Sequence, residues 1–204
     1  MPEIRGFRPT DRADVAEVCV RTGDSGGDAT GLYSSDDLLA DIYALPYVDL
    51  EPDWAFIVDN GGRARGYLVA VPDTRAFVNR YRTDWLPGFT AKYAADGAPD
   101  PGSGTEARII GDGLHPERML VPELDEYPAH LHIDLLPELQ GQGFGRTLIR
   151  ALTERLRAAG VPGVHLGVSP TNTNARSFYA RLGFVPLPSD PAGGLLGLRS
   201  DASV

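Results

Sequence analysis

The run Gln140-Gly141-Gln142-Gly143-Phe144-Gly145 constrains this chain more than any other feature. Before it stands His130-Leu131-His132-Ile133-Asp134-Leu135-Leu136, which alternates between polar and apolar residues. After it, over 143–159, Leu148, Leu152 and Leu156 recur every four residues. The first period is that of a strand and the second that of an amphipathic helix. Glycines between them let the backbone turn tightly, with several N–H groups pointing into one concavity. The following helix adds unpaired N–H groups and the positive end of its dipole. Together they make a pyrophosphate site that needs no lysine. The lysine-bearing phosphate loop is excluded, because Arg146-Thr147 follows the glycines. The spacing of Gly141, Gly143 and Gly145 also misses the dinucleotide fingerprint G-x-G-x-x-G. On its own, the loop is equally well read as a turn with no ligand.

A second block removes that ambiguity. Residues 164–184 read VHLGVSPTNTNARSFYARLGF. They predict a strand over 164–168, a polar turn with Asn172 and Asn174, and a short helix over 174–182 carrying Tyr179. Leu182-Gly183-Phe184 then ends the helix, with glycine at the left-handed position and an apolar residue after it. The order strand, Q-x-x-G-x-G, amphipathic helix, strand, N-x-x-A-x-x-x-Y and L-G-F resembles the GNAT N-acetyltransferases. Gln140, Gly143 and Gly145, then Asn172, Ala175 and Tyr179, and then Leu182, Gly183 and Phe184 carry it. The resemblance covers about 127–199 and extends in element order to 3–71, but not to 72–126. The run Tyr127-Pro128-Ala129-His130-Leu131-His132-Ile133 is similar, more narrowly, to the acetyltransferase-like C-terminal domains of O-GlcNAcases, a branch in which activity is not assured.

The resemblance implies an α/β (α+β) fold. A central, mixed, mostly antiparallel twisted sheet would be flanked by helices and splayed between the two strands that hold acetyl-CoA. It implies one domain over 1–204, with an insertion at about 72–128 between the third and fourth strands. Acetyl-CoA is the implied cosubstrate. Backbone groups of Ile133, Leu135 and Leu136 would face its pantetheine arm, and an N–H near Leu135 would polarise the thioester carbonyl. Gln142, Gly143, Phe144 and Gly145 would hold the pyrophosphate, with Gln140 bracing the loop. Arg146 would reach a phosphate, and Asn172 and Asn174 complete the implied cofactor contacts. Arg150 reads rather as an exposed helix residue. Tyr179 matches the family position that protonates the departing thiolate. The base is left open: the family's glutamate has no counterpart near Ala129 and His130, and either Asp134 or His132 is placed to accept the amine proton. His130 reads as part of a hydrogen-bonded structural set. His130, His132 and His165 fix no third ligand by spacing, so no metal is expected.

Elsewhere the pattern predicts a strand over 3–8, a helix from Pro9-Thr10-Asp11 and another over 35–44. It also predicts a hairpin of 54–59 and 65–71 turning at Asn60-Gly61-Gly62. Residues 74–85 read as helical and 95–105 as a surface loop. Cys19 is the single cysteine, which excludes internal disulfides and multi-cysteine zinc sites. The N-terminus has no signal-like apolar run and no stretch reaches membrane-spanning length, so a cytoplasmic protein is expected. A net charge of −9 disfavours nucleic acid and anionic membranes and suits a cationic amine acceptor. The acidic residues Asp112, Glu117, Glu123, Asp125 and Glu126 read as a solvated face. Monomer and homodimer both stay open. The expected activity is acetyl transfer to a primary amine of a small molecule or peptide; the alternatives are an acetyl-CoA-binding module without turnover and a protein-interaction domain.

Overall fold

The computed structural model describes residues 2–204, with the backbone alone at Pro101. Among these residues the strands are β1 (Glu3–Gly6), β2 (Ala55–Asn60), β3 (Arg63–Val71), β4 (Ala129–Leu135), β5 (Gly163–Gly167), β6 (Val185–Pro186) and β7 (Leu195–Arg199). They form one sheet in the order β1-β2-β3-β4-β5-β7-β6. Every neighbouring pair is antiparallel except β4 with β5. The β2–β3 hairpin closes on Asn60↔Arg63, and its two turn residues, Gly61 and Gly62, have φ of 68° and 85°. Only a residue without a Cβ takes both values cheaply, so the chain reverses there.

Helices cover both faces of the sheet. Before the hairpin come α1 (Arg12–Thr22), α2 (Asp37–Tyr43) and α3 (Leu45–Leu50). Between β3 and β4 come α4 (Thr74–Arg80), a π-helical stretch Tyr81–Trp85, α5 (Leu86–Tyr93) and α6 (Thr105–Leu114). The opposite face carries α7 (Phe144–Ala158) and α8 (Thr173–Arg181). Strand β3 serves both layers. Tyr67, Val69 and Val71 join the core under the first group of helices, while Leu68 and Ala70 join the core under α7 and α8. Leu148, Ile149, Leu152 and Leu156 of α7 are fully buried there. At about 1.5–3 kcal/mol for each such side chain, this stripe anchors the helix that follows the glycine turn.

The segment 72–128 is more helical than its sequence pattern predicts. Residues 94–104 are irregular apart from one 3₁₀ turn, Pro101–Ser103, but α5 and α6 flank them. Both helices are short and interrupted by helix-weakening residues, which hides their period. Pro87 and Gly88 lie in α5, and Gly111 and Gly113 in α6. Gly113 has a packing reason: a Cβ there would stand 2.2 Å from Cζ of Phe89. Lys92 ties α5 to α2 by donating to Asp37 and Asp41 at 2.8 Å each. Helix α3, also missed by periodicity, takes Pro46 at its first turn, where no N–H is required. No helix among the described residues is long and apolar enough to cross a membrane.

Candidate active site

The sheet opens between β4 and β5. These strands pair only at Ala129↔Val164 and His130↔His165, although β4 runs on to Leu135 and β5 to Gly167. On its other edge β4 stays paired with β3 as far as Gly66↔Leu135. Leu136 donates its N–H to Arg65 O at 3.1 Å. Peptide groups alternate sides along an antiparallel ladder, so those of His132 and Asp134 point to β3. The peptide groups of Ile133 and Leu135 then point into the wedge, where no strand faces them. Gln140 reaches back and donates Nε2–H to Leu135 O at 2.9 Å. An unpaired strand edge inside a fold is costly unless water or a ligand supplies partners. This edge is suited to an extended ligand with amide groups. Leu136 is a correction to the expectation: its N–H bonds Arg65, its carbonyl accepts from Leu139 N, and its side chain is buried under the opposite helices. It is turned away from the wedge.

The wedge leads to the glycine turn. Gly141 and Gly143 have φ of 72° and 87°, and a Cβ at either would meet nothing within 4 Å. Both therefore border open space in a conformation that favours glycine. Gly143 is the N-cap of α7, and the first helical bond runs from Thr147 N to Gly143 O. The N–H groups of Phe144, Gly145 and Arg146 consequently have no acceptor within the helix. An anion fits this cradle of bare N–H groups and dipole. Gln142 donates Nε2–H to Glu138 O, and Gln142 and Arg146 are both exposed beside the turn. Gly145 is glycine for another reason: its Cβ would lie 2.9 Å from Cζ of Phe178, so its absence lets α8 close on α7. Arg150 is exposed and donates to Val204 O.

Helix α8 sets Tyr179. Asn172 caps the helix, its side-chain oxygen accepting from Ala175 N at 3.0 Å, and Asn174 is exposed in the first turn. At the other end Gly183 has φ of 91°, with Gly183 N–H donating to Ala180 O and Phe184 N–H to Tyr179 O. This pair of bonds is a Schellman stop, and its usual apolar contact joins Phe184 to Tyr179, ring centroids 5.2 Å apart. The helix ending thus fixes the tyrosine ring. Burial first, and then the charge of Asp134, raise the Tyr179 hydroxyl above the usual phenol range. It remains protonated at neutral pH.

On the other face of β4, Asp134, His132 and His130 point among the first group of helices. Asp134 is half-buried and accepts a short hydrogen bond from the Tyr67 hydroxyl. Burial pushes its carboxyl up to about 6, with the Tyr67 and Thr22 hydroxyls acting in the opposite sense. His132 Nε2 and His130 Nε2 each lie 2.9 Å from the Tyr47 hydroxyl, and His130 Nδ1 lies 2.8 Å from Thr74 Oγ1. Burial, then Arg118, pushes His132 down to about 3; burial first, and then the neighbouring His165 and His132, also holds His130 well below the usual imidazole range. His165 spends Nδ1 on Tyr127 O at 2.8 Å. Among the described residues no group of three or more His, Cys, Asp or Glu is arranged to hold a metal.

Several residues at this site carry no motif. Tyr43, Tyr47, Tyr67 and Thr74 line the polar face of β4. One signal existed for Tyr67: a phenol inside an otherwise apolar strand requires a partner for its hydroxyl. Gly66 lies opposite Leu135, and its Cβ would fall 2.4 Å from Leu135 Cδ2. The acidic residues ahead of β4 are engaged at the surface: Glu117 with His115 and Arg82, Glu123 with Ser189, Asp125 with Arg75. Asp112 instead accepts from the Tyr43 hydroxyl, and the Tyr43 ring stands 5.6 Å from His132. A groove of about 870 Å³ lies between α1, α2 and α5, and none of its lining residues belongs to the wedge.

Comparison with known proteins agrees with this geometry. Residues 114–184 match the acetyltransferase (GNAT) family. The crystal structure of SsHAT is 42% identical, covers 98% of each chain and superposes with a TM-score of 0.90. The PaiA N-acetyltransferase of Thermoplasma acidophilum, solved in complex with coenzyme A, shares the fold at 14% identity over 98% of this chain and 99% of its own, with a TM-score of 0.54. Among curated proteins, O-GlcNAcase of Rattus norvegicus is 26% identical over 88% of this chain. The chain spans only 20% of the length of that relative.

Proposed function

The chain belongs to the GNAT acetyltransferase family, and we propose that it moves the acetyl group of acetyl-CoA to a primary amine of a small molecule or peptide. The observation that carries this reading is the wedge after His130↔His165, whose free edge runs into the open glycine turn at the start of α7. Ile133 and Leu135 would hold the pantetheine amides through their backbone groups. Gln142, Gly143, Phe144, Gly145 and Arg146 would take the phosphates through backbone N–H groups and the arginine side chain, with Gln140 bracing the edge. Asn172 shapes the far wall by capping α8, and exposed Asn174 adds a polar contact there. Bound acetyl-CoA supplies the activated thioester.

The chain's own groups then do the proton work. Leu135 N–H, free in the wedge, polarises the acetyl carbonyl. An alkylammonium with a pKa near 10 must lose a proton before it attacks. Asp134, at about 6, is ionised at neutral pH and accepts that proton directly or through water. His132 stays neutral and contributes as a hydrogen-bonding group. Tyr179 keeps its proton until a thiolate forms beside it, then gives it up.

A second reading is a module that binds acetyl-CoA without turnover. It is favoured by one observation: β4 offers no glutamate, and its Asp134 is already engaged by Tyr67. Calorimetry with acetyl-CoA, followed by an amine screen for released thiol, separates the two. Saturable binding with thiol release that depends on added amine supports the enzyme. Binding without release across a broad amine panel supports the module. Failure of the folded protein to bind acetyl-CoA rejects both.

A further inference from the structure

The polar face of β4 holds a chain of hydrogen bonds whose proton directions follow by elimination. Pro128 O accepts from Thr74 N–H at 2.8 Å and lies 2.7 Å from Thr74 Oγ1. Two oxygens that close repel unless a proton lies between them, so the Thr74 hydroxyl donates to Pro128. Having used its one proton, Thr74 Oγ1 accepts from His130 Nδ1–H at 2.8 Å. His130 is buried and neutral, so its Nε2 is bare and takes the Tyr47 hydroxyl proton at 2.9 Å. The Met119 sulfur, 3.7 Å from the same hydroxyl, is a much weaker acceptor. Tyr47 has then no proton left for its 2.9 Å contact with His132 Nε2, so that contact carries the proton of His132.

The consequence is a defined tautomer. His132 is neutral with its proton on Nε2, and its Nδ1 is a bare lone pair. That atom makes no hydrogen bond to any described residue, and it is not sealed from solvent. It projects from the same face of the same strand as Asp134, two residues away. Resting on the acetyltransferase reading above, we propose that His132 Nδ1 accepts an N–H hydrogen bond from the amine and turns its lone pair toward the thioester, in a tautomer held by Tyr47, His130 and Thr74. His132 is then the amine-touching residue. Tyr47, His130 and Thr74 are positioning residues that act through it, and Asp134 takes the proton.

The test reads the tautomer without any turnover. Histidine ring ¹⁵N spectra of the whole protein, with peaks assigned by single His→Gln variants, are expected to show His132 protonated on Nε2 and His130 on Nδ1. Tyr47→Phe should release the His132 ring into mixed tautomers and leave His130, still held by Thr74, protonated on Nδ1. Thr74→Val should release the His130 ring in the same way, and Thr74→Ser should restore the wild-type pattern. If Tyr47→Phe does not fold, the Thr74 pair carries the test. With the amine varied, Tyr47→Phe should lower kcat/KM about tenfold, the scale of one misdirected hydrogen bond, while acetyl-CoA affinity stays unchanged. A wild-type His132 protonated on Nδ1 in a protein that turns over overturns this inference alone. So does a tautomer indifferent to Tyr47→Phe and Thr74→Val. Absence of acetyl-CoA binding removes the acetyl-transfer reading, and the amine with it, whatever the spectra show.

Discussion

The two halves of the wedge are built from different materials. On the side proposed for the cofactor the available groups are backbone amides: the free edge at Ile133 and Leu135, and the N–H groups of the turn from Gly143 to Arg146. On the side proposed for the acceptor they are side chains brought from separate elements. Asp134 and His132 come from β4, Tyr67 from β3, Tyr43 and Tyr47 from α2 and α3, and Thr74 from α4. A backbone cradle depends on local conformation, so a few glycines specify it. A side-chain constellation depends on tertiary packing, and no short motif announces it. Under the proposed function the first half would take the cosubstrate common to the family, and the second is free to differ.

The backbone cradle is most vulnerable at Gly143. Glutamate there must take φ near 87°, which a residue with a Cβ adopts only under strain, and it puts a carboxylate where phosphate would sit. Acetyl-CoA affinity is expected to fall by at least about 100-fold in calorimetry, with all turnover lost, while the fold survives because that Cβ touches nothing. Unchanged affinity would mean that the cradle is not the phosphate site. Asp134→Asn probes the other half. It should leave acetyl-CoA affinity intact and reduce kcat/KM about 10³-fold, within the usual range for a general base. In the wild type kcat/KM should rise with pH through about 6 as Asp134 loses its proton, and that limb should vanish from the residual activity of the variant. A persistent limb would assign the base elsewhere.

This division also accounts for what the sequence made legible. The strand before the loop, the glycine turn, α7 and the helix stop at Leu182-Gly183-Phe184 were all readable, because each is set by near neighbours. The polar row of His130, His132 and Asp134 was visible by period, but its partners were not. Tyr47 lies 83 residues from His130 in sequence. Helices α5 and α6 escaped because Pro87, Gly88, Gly111 and Gly113 mask their period, and Gly113 makes sense only once Phe89 is seen against it. Leu136 was misplaced by one residue's worth of alternation. The strand ends at Leu135, and the next peptide group turns back to Arg65.

Tyr179→Phe sits on the seam between the halves, since α8 packs on the cofactor side while Asp134 acts on its hydroxyl. Removing the hydroxyl keeps the ring against Phe184, so fold and acetyl-CoA affinity should be retained. The rate with a simple alkylamine should drop about 100-fold, the lower end for a lost general acid. A smaller drop for acyl donors with more acidic thiol leaving groups would identify the missing step as protonation of sulfur. An equal drop for all donors would instead make Tyr179 a packing residue.

The smallest effect concerns stability, and it has the opposite sign. The Asp134 carboxyl stands at about 6 in the folded protein, against about 3.9 in an unfolded chain. Between those values the folded state holds more proton, so stability falls as pH rises from about 4 to about 6 and stays reduced above that. A shift of about two units corresponds to at most ~3 kcal/mol, and water at this half-buried group lowers that to about 1–2 kcal/mol. Asparagine removes the charge and keeps an acceptor for the Tyr67 hydroxyl. Asp134→Asn should therefore raise Tm by about 3–6 °C at pH 7.5, with the gain shrinking toward zero at pH 4. Tyr179→Phe, which removes no charge, should change Tm alike at both values. If Asp134→Asn gains nothing at pH 7.5, the ionised carboxylate is not strained by its surroundings. The acceptor half would then lack the energetic signature of a group held ready for a proton.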